Sequence, residues 1–563
     1  MQLRAPRRAD VMGWSYAAPA VVDAAVGAAM TPRRRRRAGR AGPARRVAIL
    51  AVLAVLLTGC VLGPSRTPNF VTDSGGVGPA SSVAPSSAMP VGPGGPGRSA
   101  APAQWSTCPE PLDPPATGSR PFTVECADVS VPVTYGSVRS GRFSLGIARA
   151  RAPGVAVGAP VLVVALGEPG ENGARSIAAV AASLPTAITD RYSIVSMDPR
   201  GSGESAALAC VSERTAERLL ALPADPGPPP AAAAVAELTR TLTYDCGDEA
   251  GPSLSAFTTV AAADDLDTVR AAVGVPAWSF LGRGFGATLG AVYADRYPGR
   301  VTAMVLDAPR DPGQAADVAA QTTAAAAEKA FDAFAAGCRT LPGGCPLGAD
   351  PRAAVAAAVS TLDRDSLGPG AQGDPSGGTV LRALLAGMGR PAQWTELATA
   401  VADAGRGRTA ALSEMVRRAA GGDVAPDRLG ARILFRCNDS PVRLAGVRLT
   451  TAAAAARGAA PLFGPFTVSQ LGVCGGWPAP DVATPGLLSG TGAPRLLIVA
   501  AVDDPLAPLS EVTTLATHLS SAVLVRWQSA QHGSYPVSAC VTGLVDDYLL
   551  RQQLPAPDTL CPT

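Results

Sequence analysis

The chain has 563 residues, of which 47% are hydrophobic and 17% are charged, and its formal net charge is +3. This hydrophobic fraction is enough for a large core. Outside the N-terminal segment the chain has no stripe of basic residues that could bind nucleic acid, so we expect no nucleic-acid partner. With two histidines and no close Cys-x-x-Cys spacing, we also expect neither a metal nor another cofactor.

The N-terminus carries the parts of an export signal. Arginines cluster between residues 33 and 46, and an apolar run over 47–57 follows that is too short for a good membrane span. Leu57-Thr-Gly-Cys60 then resembles a bacterial lipoprotein box, in which the cysteine is lipidated. We predict a signal peptide over 1–60 and a lipid anchor at Cys60 on the outer face of the cell membrane. A plain cleaved signal, with secretion, or an anchor helix is the alternative.

A segment rich in Pro, Gly, Ser and Ala follows over 61–104 and is predicted to be a flexible linker, since it has too little apolar area to offset the entropy of ordering. The folded region is predicted to begin near Trp105. Without Cys60 the number of cysteines is even, as expected for disulfides in an exported chain. Their spacing suggests local pairs, although sequence cannot prove the connectivity: Cys108 with Cys126, Cys210 with Cys246, Cys338 with Cys345, Cys437 with Cys474, and Cys540 with Cys561.

Strand patterns open the folded region and then alternate with helical patterns. An antiparallel edge is predicted first, and continuous apolar runs typical of buried parallel strands come next. The edge strands are 122–126, 129–133 and 142–148, and the parallel strands are 160–166, 192–197, 278–281 and 301–306, with a helix over 259–273. The fold class is therefore α/β with a mostly parallel central sheet covered on both faces.

The alternation stops after the fourth parallel strand. Residues 313–430 show alanine-rich helical patterns and no strand signal, which indicates a helical cap between two parts of the core, 105–312 and 431–563. The second part resumes the sheet with strands at 495–501 and 521–527 and closes with a helix over 537–551.

The stretch Gly282-Arg-Gly284-Phe-Gly286 lies between a strand and a helix and has two interpretations. As a dinucleotide fingerprint it fits with Gly282, Gly284 and Ala287, and with Asp307 at the end of the next strand. As a nucleophile elbow, Gly-x-Ser-x-Gly, it has Gly284 where the serine should be.

Other strand ends decide between the two. Gly167-Glu-Pro-Gly170 follows one strand, Asp503-Asp504-Pro505 follows another, and His532-Gly533 follows the last. Glycines, an acid and a histidine thus lie at the carboxyl ends of successive strands, where open α/β sheets place their sites. The order elbow, acid, histidine is typical of α/β-hydrolases and leaves the dinucleotide-binding protein as the weaker alternative.

Over roughly 105–563 the chain resembles the secreted actinobacterial α/β-hydrolases related to tripeptidyl and prolyl aminopeptidases, with their TAP-like C-terminal region. Several motifs in order carry the resemblance: Gly167-Glu-Pro-Gly170, Asp198-Pro-Arg-Gly-Ser-Gly-Glu-Ser205, Asp265-Leu-Asp-Thr-Val-Arg270, Val305-Leu-Asp-Ala-Pro-Arg-Asp-Pro312, Arg436-Cys-Asn-Asp439, Cys474-Gly-Gly-Trp-Pro478, Asp504-Pro-Leu-Ala-Pro508 and His532-Gly533.

The resemblance implies an α/β-hydrolase fold with a helical cap and hydrolysis of a peptide, ester or amide. It assigns the triad acid to Asp504 and the base to His532, with Asp503 as a possible substitute acid. It places the oxyanion hole at the backbone of Gly167, Glu168 and Gly170 and at the N–H of Phe285.

Two departures from the family pattern bear on activity. Gly284 replaces the nucleophile, which excludes an acyl-enzyme at this position, and Glu168 replaces an oxyanion-loop glycine. We therefore expect a pseudoenzyme that binds a peptide or a small ester or amide. The open alternative is an active hydrolase that uses a water activated by His532 and Asp504, or an unrecognised nucleophile.

Overall fold

The computed structural model describes residues 98–109, 112–137, 139–368, 373–419, 426–478 and 485–563. The strands are β1 Thr123–Pro132, β2 Arg142–Arg151, β3 Val161–Leu166, β4 Ser193–Met197, β5 Trp278–Arg283, β6 Val301–Asp307, β7 Leu496–Ala501, β8 Ala522–Trp527 and β9 Leu560–Cys561. The α-helices are α1 Ile177–Ser183, α2 Thr186–Arg191, α3 Glu213–Leu220, α4 Pro229–Ala250, α5 Thr259–Val273, α6 Phe285–Arg296, α7 Ala316–Arg339, α8 Pro351–Ser366, α9 Gly377–Gly387, α10 Trp394–Ala404, α11 Ala410–Ala419, α12 Pro426–Asp439, α13 Gly446–Ala459, α14 Phe463–Gly472, α15 Leu509–His518 and α16 Ala539–Arg551.

The strands form one sheet in the order β1-β2-β4-β3-β5-β6-β7-β8-β9. The β1–β2 and β2–β4 pairs are antiparallel, and the remaining pairs are parallel. The fold is therefore the α/β class predicted from the sequence. Two details differ. The predicted strands 122–126 and 129–133 are the single strand β1, because Ala127 and Asp128 continue the ladder opposite β2, and the two-residue β9 had no pattern long enough to recognise.

Helices cover both faces of the sheet. Apolar side chains of α5, α6 and α15 pack on one face, and those of α1, α2 and α16 pack on the other. The strands β3 to β7 are nearly continuous in buried residues for this reason. Between β6 and β7 the described residues contain helices only, and most of these helices share a separate apolar core. The domain boundaries predicted from composition stay predictions.

A buried ion pair fixes the turn after β4 against α5. The Arg200 guanidinium donates from Nε and Nη2 to the two carboxylate oxygens of Asp265 at 2.7 and 2.6 Å, and neither side chain is exposed to solvent. Arg200 Nη1 also donates to the carbonyls of Val133 and Ala256. The sequence motif over 198–205 and the motif over 265–270 are therefore joined by this ion pair.

The described end of the predicted linker, residues 98–104, contacts the folded region. The backbone N–H of Arg98 donates to Asp267 Oδ2 at 2.8 Å, its Nε donates to the Tyr297 hydroxyl at 3.0 Å, and the Ala103 N–H donates to the Ala272 carbonyl. These contacts tie residues 98–104 to the first face of the sheet. The amino-acid composition of the segment gives no sign of these contacts, because they are made by backbone groups and by the side chain of Arg98.

Five disulfides join the cysteine pairs that the spacing suggested, so that prediction is confirmed. Such bonds persist in oxidising compartments and fit an exported protein. The predicted signal peptide and Cys60 lie outside the described residues. In the part of the chain that the structure describes, no helix has the length and apolar character needed to cross a membrane.

Candidate active site

The turn between β5 and α6 has the backbone of an elbow. Gly284 has φ 59° and ψ −125°, in the left-handed half of the map that favours glycine. The flanking glycines are required by packing: a Cβ on Gly282 would lie 2.5 Å from the Gly286 carbonyl oxygen, and one on Gly286 would lie 1.9 Å from the Ala165 carbonyl oxygen. The Gly284 N–H donates to the Asp307 carbonyl at 3.0 Å, which fixes the turn on the neighbouring strand.

The elbow points its central residue at the histidine. A Cβ built on Gly284 would lie 3.2 Å from Nε2 of His532, 3.6 Å from the Gly167 carbonyl oxygen and 3.7 Å from Oε1 of Glu168. A side chain on residue 284 would therefore project between the imidazole and the loop that follows β3. This is the position that a nucleophile occupies in a triad.

His532 and Asp504 form a hydrogen-bonded dyad. His532 Nδ1 and Asp504 Oδ2 are 2.8 Å apart, and Asp504 is 1% exposed. The other Asp504 oxygen accepts the Leu506 N–H at 2.8 Å, which orients the carboxylate. Asp503, the substitute acid considered from the sequence, instead pairs with Lys329 at 2.7 Å.

Asp307 holds the histidine loop in place. Its Oδ2 accepts the backbone N–H groups of Ser534 and Tyr535 at 2.7 and 2.9 Å, and its Oδ1 accepts the Ser534 hydroxyl at 2.9 Å. Sequence reasoning considered Asp307 only as the acid of the dinucleotide fingerprint and gave it no role in the hydrolase site. Its position at the carboxyl end of β6, beside the elbow strand, was the available signal.

One of the predicted oxyanion donors is already engaged. The Gly167 N–H donates to the Arg283 carbonyl at 3.1 Å and is therefore not free to donate to an oxyanion, while the assignment of the oxyanion hole as a whole stays a prediction. Gly170 is also packed closely, since a Cβ on it would lie 2.5 Å from Cα of Arg428. Among the described residues, the backbone N–H groups of Glu168, Gly170 and Phe285 make no hydrogen bond, which leaves them as the candidate donors.

Comparison with known proteins places this site in a family. Family models match residues 160–357 as alpha/beta hydrolase fold and residues 460–561 as TAP-like protein. Serine protease Hip1 of Mycobacterium tuberculosis is 30% identical over 456 residues, which cover 77% of this chain and 87% of that protein. The chain belongs to the TAP-like α/β hydrolases.

Other known proteins are similar to this chain as well. Carboxylesterase B of Mycobacterium tuberculosis is 31% identical over 472 residues, or 81% of this chain and 89% of that protein. The tripeptidyl aminopeptidase of Streptomyces coelicolor is 33% identical over 215 residues, or 37% of this chain and 38% of that protein. Among solved structures, proline iminopeptidase of Mycobacterium smegmatis aligns with a TM-score of 0.34 and 14% identity over 75% of this chain and 98% of that chain.

The α/β-hydrolase elbow excludes the dinucleotide interpretation. Both Asp307 oxygens are occupied by the histidine loop and cannot bind a ribose hydroxyl. The Glu168 carboxylate also lies beside the N-terminus of α6, within 3.7 Å of a Cβ on Gly284, where it would repel a pyrophosphate.

Other hydroxyl groups near the elbow are bound elsewhere. Thr288 Oγ1 contacts the carbonyls of Gly284 and Arg310, Ser279 Oγ pairs with Thr302, and Ser534 is bound to Asp307. Ser202 and Ser205, in the turn after β4, are buried and bonded to backbone groups. None of these five side chains replaces the missing serine.

Charge at the site favours the protonated imidazole. Burial lowers the pKa of His532, but Asp504 and, more weakly, Glu168 and Asp307 raise it, and the net pKa lies above its ordinary value of 6.5. Both Glu168 Oε1 and His532 Nε2 lie within 4 Å of the same point above Gly284. Glu168 therefore acts as a second counterion on the side of the ring that carries Nε2.

This electrostatic arrangement can be measured by NMR, because the chain has two histidines. We expect the His532 imidazole to titrate with a pKa above 6.5 in the native protein and with a lower pKa in Asp504→Asn and in Glu168→Gln. His518→Gln removes the other imidazole signal and assigns the resonance. A native value below 6.5 would show that burial, not the carboxylates, dominates at this ring.

Proposed function

We propose that this TAP-like hydrolase is a catalytically impaired member that binds a peptide or a small ester or amide in its cleft without forming an acyl-enzyme. One observation carries the proposal: residue 284 is a glycine. A Cβ built at this position would lie 3.2 Å from His532 Nε2. Glycine offers no atom that can attack a carbonyl carbon.

The expected loss of activity is large. Removing the nucleophile from a serine-hydrolase triad costs roughly 10⁶-fold in kcat, and what remains comes from binding and from the oxyanion donors. Glu168 weakens the remainder, because a carboxylate beside the elbow opposes the negative charge that develops on a tetrahedral intermediate. Both changes act against the same chemical step.

The fold tolerates the loss for a physical reason. An L-residue at φ 59° and ψ −125° stores strain of about 1–3 kcal/mol, which glycine avoids. Replacing serine by glycine at an elbow therefore stabilises the fold once catalysis is no longer needed. The dyad of His532 and Asp504 is retained.

The alternative function is hydrolysis by a water activated by the dyad, and the intact contact between His532 and Asp504 at 2.8 Å favours it. A general base must be neutral at the working pH. Because the surrounding carboxylates raise the pKa of His532, this mechanism would gain rate as the pH rises through that pKa.

Turnover assays separate the two functions. We expect native protein to hydrolyse p-nitrophenyl butyrate and an Ala-Pro-Ala aminomethylcoumarin amide at the rate of the His532→Ala variant, because neither protein has a nucleophile. A native rate about 10²-fold or more above that variant, the usual contribution of a general base, would establish the water mechanism instead.

We also propose that the protein is exported and anchored by a lipid at Cys60. The five disulfides support export. The lipoprotein box in the sequence supports the anchor.

A further inference from the structure

Arginines line one face of helix α12 where it borders the loop after β3. Arg428, Arg432 and Arg436 are spaced four residues apart, which places them on one side of the helix. The backbone of Arg428 touches Gly170, and Arg432 Nη2 is 3.9 Å from Glu171 Oε1. This face of α12 therefore lies along the loop that carries Glu168.

A fourth arginine approaches from helix α9. Arg382 Nη2 donates to the Leu219 carbonyl at 2.8 Å and to Gln470 Oε1 at 2.7 Å, and its guanidinium lies 5.6 Å from the ring centroid of Phe466. All of these partners are neutral. We call Arg382, Arg432 and Arg436 the arginine wall.

The arginine wall has donors without acceptors. Arg382 Nε, Arg432 Nε and Gln470 Nε2 are buried and make no hydrogen bond among the described residues. An unsatisfied buried donor is costly, and three of them in one region point to a missing acceptor.

Two of the three arginines of the wall, Arg382 and Arg436, make no ion pair among the described residues, and the third, Arg432, has only the 3.9 Å contact with Glu171. Burial, and then the nearby charges of Arg436 and Arg432, lower the pKa of Arg382 to about 9. By contrast, Arg310 pairs with Glu511 and Arg200 with Asp265. Like charges repel one another, so an anion bound between the guanidinium groups of the arginine wall would be stabilised.

Arg436 connects the wall to the candidate active site. Its side chain is exposed to solvent. Glu168, whose Oε1 would lie 3.7 Å from a Cβ on Gly284, is the carboxylate whose charge acts on Arg436. A ligand bound beside Glu168 at the elbow would therefore also feel the charge of Arg436.

We propose that the arginine wall binds an anionic group, a carboxylate or a phosphate, of the ligand that occupies the cleft. Guanidinium groups match both anions because their planar fork donates two parallel hydrogen bonds. A ligand amine would be repelled from this wall. The inference rests on the proposed function, since it names the chemical class of the ligand that the cleft holds.

Calorimetric titration at constant ionic strength tests the proposal with three probes: succinate, its neutral analogue succinamide, and inorganic phosphate. We expect saturable binding of succinate or phosphate and none of succinamide. Arg436→Gln and Arg382→Gln should each weaken anion binding roughly ten- to hundredfold, the effect of losing a charged hydrogen bond. Arg448→Gln, which removes an exposed arginine on α13, is the matched control and should bind as the native protein does.

Arg436→Gln is the decisive variant, because Arg436 makes no hydrogen bond among the described residues and its loss should not impair folding. Preference for succinate or for phosphate identifies which anion the ligand carries. Equal binding of succinate and succinamide, no binding of either anion, or unchanged binding by Arg436→Gln would overturn the proposal. Such a result would leave the turnover test unaffected, so failure of this inference can be told apart from failure of the proposed function.

Discussion

Gly284→Ser is expected to create a serine that reacts with fluorophosphonate and hydrolyses p-nitrophenyl butyrate. The serine Cβ would lie 3.2 Å from His532 Nε2, close enough for its hydroxyl to hydrogen-bond to the ring after a shift of a few tenths of an ångström. The dyad can then act as general base, and this contributes roughly 10²–10⁴-fold to the rate. Intact-mass spectrometry and ester turnover measure the two effects.

Gly284→Ala is the matched control for this substitution. Both variants place a Cβ at positive φ and should lose about 1–3 kcal/mol of stability, but only serine adds a nucleophile. Gly284→Ser combined with His532→Ala should fall back to the rate of Gly284→Ala. Activity in Gly284→Ser that survives loss of His532 would show that the dyad does not serve residue 284.

Glu168 sets how far the activity recovers. Adding Glu168→Gln to Gly284→Ser should raise the rate further, because it removes a charge beside the developing oxyanion and also lowers the pKa of His532. If the double variant is no faster than Gly284→Ser, the carboxylate is not what limits the recovered activity.

Asp265→Asn is expected to cost about 3–5 kcal/mol of folding stability, because it leaves the Arg200 guanidinium buried beside a neutral amide. Neither side chain is exposed, and the two groups share two hydrogen bonds. Chemical denaturation with intact disulfides measures the change as a shift of the unfolding midpoint.

A surface pair provides the comparison. Glu414→Gln disrupts an ion pair with Arg417 in which both side chains are more than 40% exposed, and such a pair contributes about 0–1 kcal/mol. Replacing both Arg200 and Asp265 by apolar residues should cost less than Asp265→Asn alone, since no charge is left unpaired. Equal losses for Asp265→Asn and Glu414→Gln would contradict the role given to the buried pair.

Much of the fold could be predicted because its signals are local. Each parallel strand is a continuous apolar run, so β3 to β8 were placed within a few residues. The break of β1 at residues 127–128 was wrong, because a single polar residue on the exposed side of an edge strand does not end its ladder.

The candidate site was predictable where motif order carries the information. The elbow at Gly284, the acid and the histidine lie at strand ends, and the sheet topology brings them together. Two sets of hydrogen bonds were not predictable: the bond from the Gly167 N–H to the Arg283 carbonyl and the bonds by which Asp307 holds the histidine loop. Both depend on which groups face each other across neighbouring strands and loops. The arginine wall joins α9 to α12, and helical spacing alone reveals only the residues on α12.

The most direct measurement is the intact mass of native protein after exposure to a fluorophosphonate, with Gly284→Ser treated in parallel. We expect no adduct on the native chain and a single adduct on the variant at residue 284. A stoichiometric adduct on any serine of the native chain would show that this TAP-like hydrolase still has a nucleophile.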